Sequence, residues 1–267
     1  MLLPPSEGKS VGGSGAPWSA GTGIAPDLDG RRAEVLRALV AAMAAPEAAR
    51  AKLLGVKGVA LAAATDANLT VETSPTRPAI ERYTGVLYEA LDARSLPDGH
   101  RRRLGRQARI FSGLWGIVGP DDPIPDYKLK MGASLASLGK LSTGWRPLVT
   151  AALAPEVKGC TVWSLLPNEH AAAWAPDLSG GPASPSCVVS VRFLDEVRRG
   201  RRRELITVSH WNKLLKGALV RHILAVQLTD VDGLADFAHP LGYRFEPDLT
   251  EVAADGVRVI ASMVKRS

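Results

Sequence analysis

Short β-branched runs closed by glycine, proline or serine alternate with longer apolar runs at helical spacing along the whole chain, and this alternation constrains the fold most. Leu2-Leu3, ahead of Pro4-Pro5, reads as a very short first strand. Residues 109–112, 161–165 and 188–192 read as buried strands, 204–209 alternate like a strand, and 251–263 read as the last one. Between them, residues 31–44, a segment opened by Pro46-Glu47, and residues 78–91, 100–109 and 213–225 carry helical spacing. Residues 10–30, centred on Gly12-Gly13-Ser14-Gly15, read as a mobile loop. No long linker, repeat or abrupt composition shift divides the 267 residues, so one mixed α/β (α+β) domain over 1–267 is predicted.

A hydrophobic share of 46% with 22% charged residues excludes wholesale disorder. The first residues lack a basic leader and a long apolar core, and apolar stretches such as 59–64 are too short to span a bilayer, so a cytoplasmic protein off the membrane is expected. Cys160 and Cys187 read as two reduced thiols without zinc spacing. His100, His170, His210, His222 and His239 show no ligand spacing either, so no metal or cofactor is expected. Lys and Arg outnumber Asp and Glu by 33 to 27, a formal charge of +6, which favours a polyanionic partner. Arg101, Arg102, Arg103, Arg106 and Arg109 cluster, as do Arg198, Arg199, Arg201, Arg202 and Arg203; each cluster reads equally as a solvated face.

Five segments carry groups suited to chemistry or binding. Ser6-Glu7-Gly8-Lys9 offers a hydroxyl, a carboxylate and an ammonium at a strand end. Gly8-Lys9-Ser10 resembles the end of a P-loop, but Leu3 stands where that motif needs glycine, which rejects an ATPase. From Phe111 to Gly132 glycines and prolines surround Ser112, Gly113, Tyr127, Lys128 and Lys130; the two lysines share a face if the chain is extended there. A basic site with an aromatic platform suits nucleotides or single strands, against an ordinary loop with solvated lysines. Pro167-Asn168-Glu169-His170 starts a helix and supplies either an acid/base pair or simply an Asn168 cap. Ser209-His210-Trp211-Asn212-Lys213 leads a basic helix on which Lys213 and Lys216 face one ligand, while Arg221 reads alternatively as pairing with an acidic neighbour. Within residues 46–64, Gly55-Val56-Lys57-Gly58 reads either as a helix-hairpin-helix turn whose amides approach a DNA phosphate or as a plain turn.

In this order, these residues resemble the YaaA family of peroxide-stress proteins. Pro4-Pro5-Ser6-Glu7-Gly8-Lys9 looks like an actinobacterial version of the family's opening Ser-Pro-Ala-Lys segment. Ser112-Gly113-Leu114-Trp115-Gly116 through Tyr127-Lys128-Leu129-Lys130-Met131-Gly132 is similar to its Ser-Gly-Leu-Tyr-Gly and Pro-Tyr-Arg-Leu-Glu-Met-Gly block. Asn168-Glu169, Phe193-Leu194-Asp195-Glu196 and the helix with Lys213, Lys216 and Arg221 follow, and the likeness runs to about Asp248. Glu7 departs from the family by adding a carboxylate near the site, as does His210-Trp211-Asn212 where the family has Phe-Tyr-Ala. The resemblance implies a single domain with a central mixed sheet flanked by helices, a positively charged cleft and a helix-hairpin-helix-like DNA-binding element. It also implies protection against hydrogen peroxide by limiting free iron and damage to DNA.

Two functions follow as expectations. One is a monomer that binds DNA, or a phosphorylated nucleotide-like ligand, through Lys9, Lys128, Lys130, Lys213, Lys216 and Arg221 lining one basic cleft. The other is an enzyme acting on a nucleobase, nucleoside or related molecule, with Ser6, Glu7, Lys9, Tyr127, Asn168, Glu169 and His210 supplying orientation and proton transfer.

Overall fold

Nine strands form one sheet in a computed structural model that describes residues 1–200, 202–207, 212–237, 239 and 241–266. They are β1 (Leu2–Leu3), β2 (Arg109–Ser112), β3 (Gly116–Val118), β4 (Thr161–Ser164), β5 (Cys187–Arg199), β6 (Arg202–Thr207), β7 (Arg244–Phe245), β8 (Glu251–Val252) and β9 (Arg258–Lys265). The path β7-β9-β5-β4-β1-β2-β3 has a parallel centre, β9 through β2, with antiparallel partners added outside it: β3 on β2, β6 on β5, and β7 and β8 on β9. The expected mixed sheet is therefore present. Its two-residue central strand is wholly apolar, as a strand covered on both faces requires.

Helices α1 (Asp29–Ala42), α2 (Glu47–Leu54), α3 (Gly58–Leu69), α4 (Ala79–Arg82), α5 (Val86–Leu91), α6 (Asp98–Gln107), α7 (Leu141–Val157), α8 (Asn168–Ala171) and α9 (Asn212–Val226) flank the sheet. One contiguous core joins Leu3, Ile110 and Phe111 of the sheet to Leu36, Leu61, Trp145 and Leu219 of the helices. No helix among the described residues is long and apolar enough to cross a membrane. Cys160 is exposed, Cys187 half-buried, and both are free thiols.

Several elements differ from the sequence expectation. Residues 78–91 form two helices, because Gly85 takes a left-handed φ of 99° that interrupts the turn. Strand β5 runs seven residues past Arg192, since β6 pairs with its charged end. Residues 251–263 split into β8 and β9 around a turn at Asp255-Gly256. Ser209, the expected end of the 204–209 strand, lies outside the described residues; β6 itself spans Arg202–Thr207.

Two fully buried arginines tie loops to this frame. Arg32 donates to the carbonyls of Trp115 and Ile117 at 3.1 and 2.8 Å and pairs with Asp29 at 2.8 Å. Arg82 donates to the carbonyls of Ile124 and Pro75 at 3.2 and 3.1 Å and to that of Ser10. The 10–30 segment is further joined by reciprocal Gly15 and Thr76 backbone bonds of 3.1 Å and by the Ile24 amide, 3.2 Å from the Asp122 carboxylate.

Candidate functional site

In an open parallel sheet the crevice lies beyond the carboxyl ends of the strands, where the strand order reverses. Here that point falls between β1 and β4: the chain moves from β1 to β2 on one side, and from β4 to β5 on the other. Residues 4–9 follow β1 and residues 165–170 follow β4. Between them is a hollow of about 70 Å³ lined by Pro5, Ser6, Glu7, Lys9, Tyr127, Lys128, Leu129, Lys130, Glu169 and His170.

The floor comes from residues 127–131, whose burial alternates. Tyr127, Leu129 and Met131 are buried while Lys128 and Lys130 alternate to the open side. Asn68 of α3 fixes this segment: its amide donates to the Lys128 carbonyl at 3.0 Å and its oxygen accepts the Lys128 N–H at 2.8 Å. Gly113 supports it from beneath. A Cβ there would stand 2.7 to 2.9 Å from the backbone of Leu129 and Lys130, so its lack of a side chain admits that segment.

Lys128 and Lys130 share a face and both reach Glu7, at 3.0 and 3.1 Å. Burial raises the Glu7 pKa, but the hydrogen bonds from the two lysines outweigh it and hold the carboxyl below its ordinary value. Lys9 is enclosed by the same loop, its ammonium donating to the Ser6 carbonyl at 3.2 Å and lying 4.3 Å from the centroid of the Tyr127 ring. Burial lowers its pKa to about 8, with Asp126 and Glu7 opposing that shift and Lys128 adding to it.

Behind Lys9 runs a buried hydroxyl chain. The Tyr127 oxygen is 2.7 Å from both Ser112 Oγ and the Tyr83 hydroxyl. Ser112 Oγ accepts the amides of Leu114 and Trp115 at 3.2 and 3.0 Å, which leaves its own proton for Tyr127. Burial pushes the Tyr127 pKa up to about 12, so this phenol is neutral at physiological pH.

From the β4 side, Glu169 is exposed and accepts the Gly132 amide at 2.7 Å. Asn168 begins α8 and is exposed, but it is not the cap: Pro167 occupies that position without a side-chain bond. Lys216 donates to the Leu165 carbonyl at 3.0 Å, which brings α9 to the same strand end, and burial lowers its pKa. Lys213 is exposed in the first turn of α9. Among the described residues Arg221 meets no carboxylate; it donates to the carbonyls of Leu91 and Asp92 and to Ser95 Oγ, closing the end of α5. His210 lies outside the described residues.

Sequence reasoning had placed His170 in a candidate acid/base segment but had not singled out Asn68 or Tyr83 for the site. His170 lines the hollow, its Nδ1 is buried without a partner among the described residues, and burial lowers its pKa. Its place beside Glu169 was the available signal. Asn68 offered none, being one of three polar residues, with Thr65 and Asp66, on an otherwise apolar helix.

The helix hairpin adjoins this hollow. Gly55, in the left-handed conformation that ends α2, is close enough to Lys130 that a Cβ would stand 3.1 Å from the ammonium. Lys57, Gly58, Val59 and Ala60, which open α3, are exposed, and no side chain caps that end.

Residues 1–249 match the family described as Peroxide stress protein YaaA. The chain is 39% identical to a UPF0246 protein of Streptomyces coelicolor over 252 residues, 93% of this chain and 92% of that protein. It is 34% identical to a UPF0246 protein of Corynebacterium glutamicum over 88% of this chain and 89% of that one. A UPF0246 protein of Flavobacterium johnsoniae is 30% identical over 66% and 67% of the two chains.

Proposed function

Because the chain belongs to the YaaA family of peroxide stress proteins, we propose that it serves the peroxide stress response by binding nucleic acid, DNA foremost, at the lysine-lined crevice and the adjoining helix hairpin. The observation that carries this reading is the contact of the Gly55-Val56-Lys57-Gly58 turn with Lys130. Uncapped amides at a helix start hold an anionic oxygen, and Lys57 and Lys130 add charge on either side of it. A labelled oligonucleotide titrated at rising salt tests the reading: Lys57→Ala with Lys130→Ala should flatten the salt dependence by roughly one to two units of slope. Absence of binding by the wild type even at low ionic strength would reject it.

Lys9 favours a second reading, turnover of a nucleobase, nucleoside or related small molecule. With a pKa near 8, a substantial share of its amine is free base just above neutrality, and His170, whose buried Nδ1 has no partner among the described residues, lines the same hollow. Purified protein screened against nucleosides and damaged DNA separates the readings. Turnover that Lys9→Ala abolishes replaces binding alone with catalysis.

A further inference from the structure

Strand β5 has thirteen residues where its neighbour β4 has four. It pairs with β4 only as far as Ser190 and with β9 only as far as Asp195, and then continues to Arg199. Along this extension β6 takes the edge that β4 occupies lower down, from Leu194 opposite Thr207 to Arg199 opposite Arg202. Four residues, Glu196 to Arg199, run past the last pair with β9, about 13 Å of strand. A two-stranded ribbon thus rises from the carboxyl end of the sheet, the end that carries the Lys9 hollow. Phe193 and Leu194 are buried, whereas Arg198, Arg199 and all of β6 are exposed.

The tip is costly to the fold by itself. Arg199 stands directly opposite Arg202, and Arg198 opposite Arg203, so each face of the ribbon carries a like-charged cross-strand pair. Relief from carboxylates is partial. Arg203 reaches Glu196 at 3.0 Å, but Glu196 also serves Arg266 at 2.9 Å; Arg199 is 3.6 Å from Glu204. Arg198 and Arg202 meet no carboxylate among the described residues. We propose that this ribbon is an arm that grips a nucleic-acid backbone, its facing arginines relieved of mutual repulsion by phosphates. A ribbon of this width enters a duplex major groove, and guanidinium pairs suit phosphate oxygens. The arm rests on the nucleic-acid reading of the crevice, and its position lets one polyanion meet both.

Fluorescence anisotropy of labelled single-stranded and duplex oligonucleotides on the full chain tests it, beside thermal melting. Arg198→Ser with Arg202→Ser orphans no carboxylate. It should weaken binding about tenfold or more near 0.1 M salt, lower the duplex salt slope by about two contacts, and leave the melting temperature unchanged or higher. Arg198→Lys with Arg202→Lys should retain most of the affinity. Serine variants that bind like the wild type, while the Lys57 and Lys130 changes abolish binding, overturn the arm and leave the crevice reading intact. Loss in the serine variants alone supports the arm and rejects the crevice. A wild type that binds neither oligonucleotide removes both, and polyglutamate competing as well as DNA assigns the arm to an acidic protein surface instead.

Discussion

The ammonium of Lys9 lies over the face of Tyr127, 4.3 Å from the ring centroid, with the Ser6 carbonyl as its hydrogen-bond acceptor. Burial lowers its pKa from 10.5 to about 8. Below about pH 8 both folded and unfolded states hold the proton, and the fold bears the full cost of the buried cation. Between about 8 and 10.5 only the unfolded state is protonated, so stability contributed by this site rises with pH. Lys9→Met is therefore expected to exceed the wild type by roughly 3 kcal/mol near pH 7, an advantage that fades by about pH 10.5. Paired denaturant titrations across that range check it; a difference that does not change with pH would refute the assignment.

Tyr127→Phe keeps the ring beneath Lys9 but removes the hydroxyl between Ser112 and Tyr83. Two buried groups lose a partner, so the variant should be less stable by roughly 2 kcal/mol. The amine of Lys9 should keep its titration, because the aromatic face remains. Urea unfolding and pH-dependent acylation of Lys9 measure the two effects separately.

Gly113→Ala should destabilise by about 1 to 3 kcal/mol or more, since the new methyl meets rigid backbone of Leu129 and Lys130 at 2.7 to 2.9 Å. The same push displaces Lys128 and Lys130, so oligonucleotide affinity should fall with stability. Gly30→Ala, in α1 where a Cβ meets nothing within 4 Å, serves as the control and should be neutral or stabilising.

Arg82→Met replaces a buried guanidinium by an apolar chain and leaves the carbonyls of Ser10, Pro75 and Ile124 without their donor. A loss of about 3 kcal/mol or more is expected. Amide exchange should rise first in residues 10–25, and protection equal to the wild type there would contradict the role given to Arg82.

Local pattern was enough to read the strands at 109–112, 161–165 and 188–192, because short runs rich in β-branched and aromatic residues, closed by glycine, proline or serine, fit a pleated, buried surface. The pairing of Lys128 with Lys130 on one face was legible from their spacing, since burial alternates along that segment. Partner-dependent features were not. The charged end of β5 is a strand only because β6 pairs with it, and Arg221 looks like a ligand cation until the end of α5 claims it. The Lys9 hollow itself joins residues 6–9, 127–130 and 169–170, and spacing along the chain cannot disclose such a meeting.

Strand β1 is translated well before its neighbours, Leu2 lying beside Arg109 and Ser164. Its two residues cannot find both partners until the ribosome has released β4. The segment must therefore wait, unpaired, until residues 109–164 have been made, and the loop that carries Lys9 waits with it. A nascent chain arrested before β4 emerges has no assembled hollow, so competence to bind there arises late and all at once.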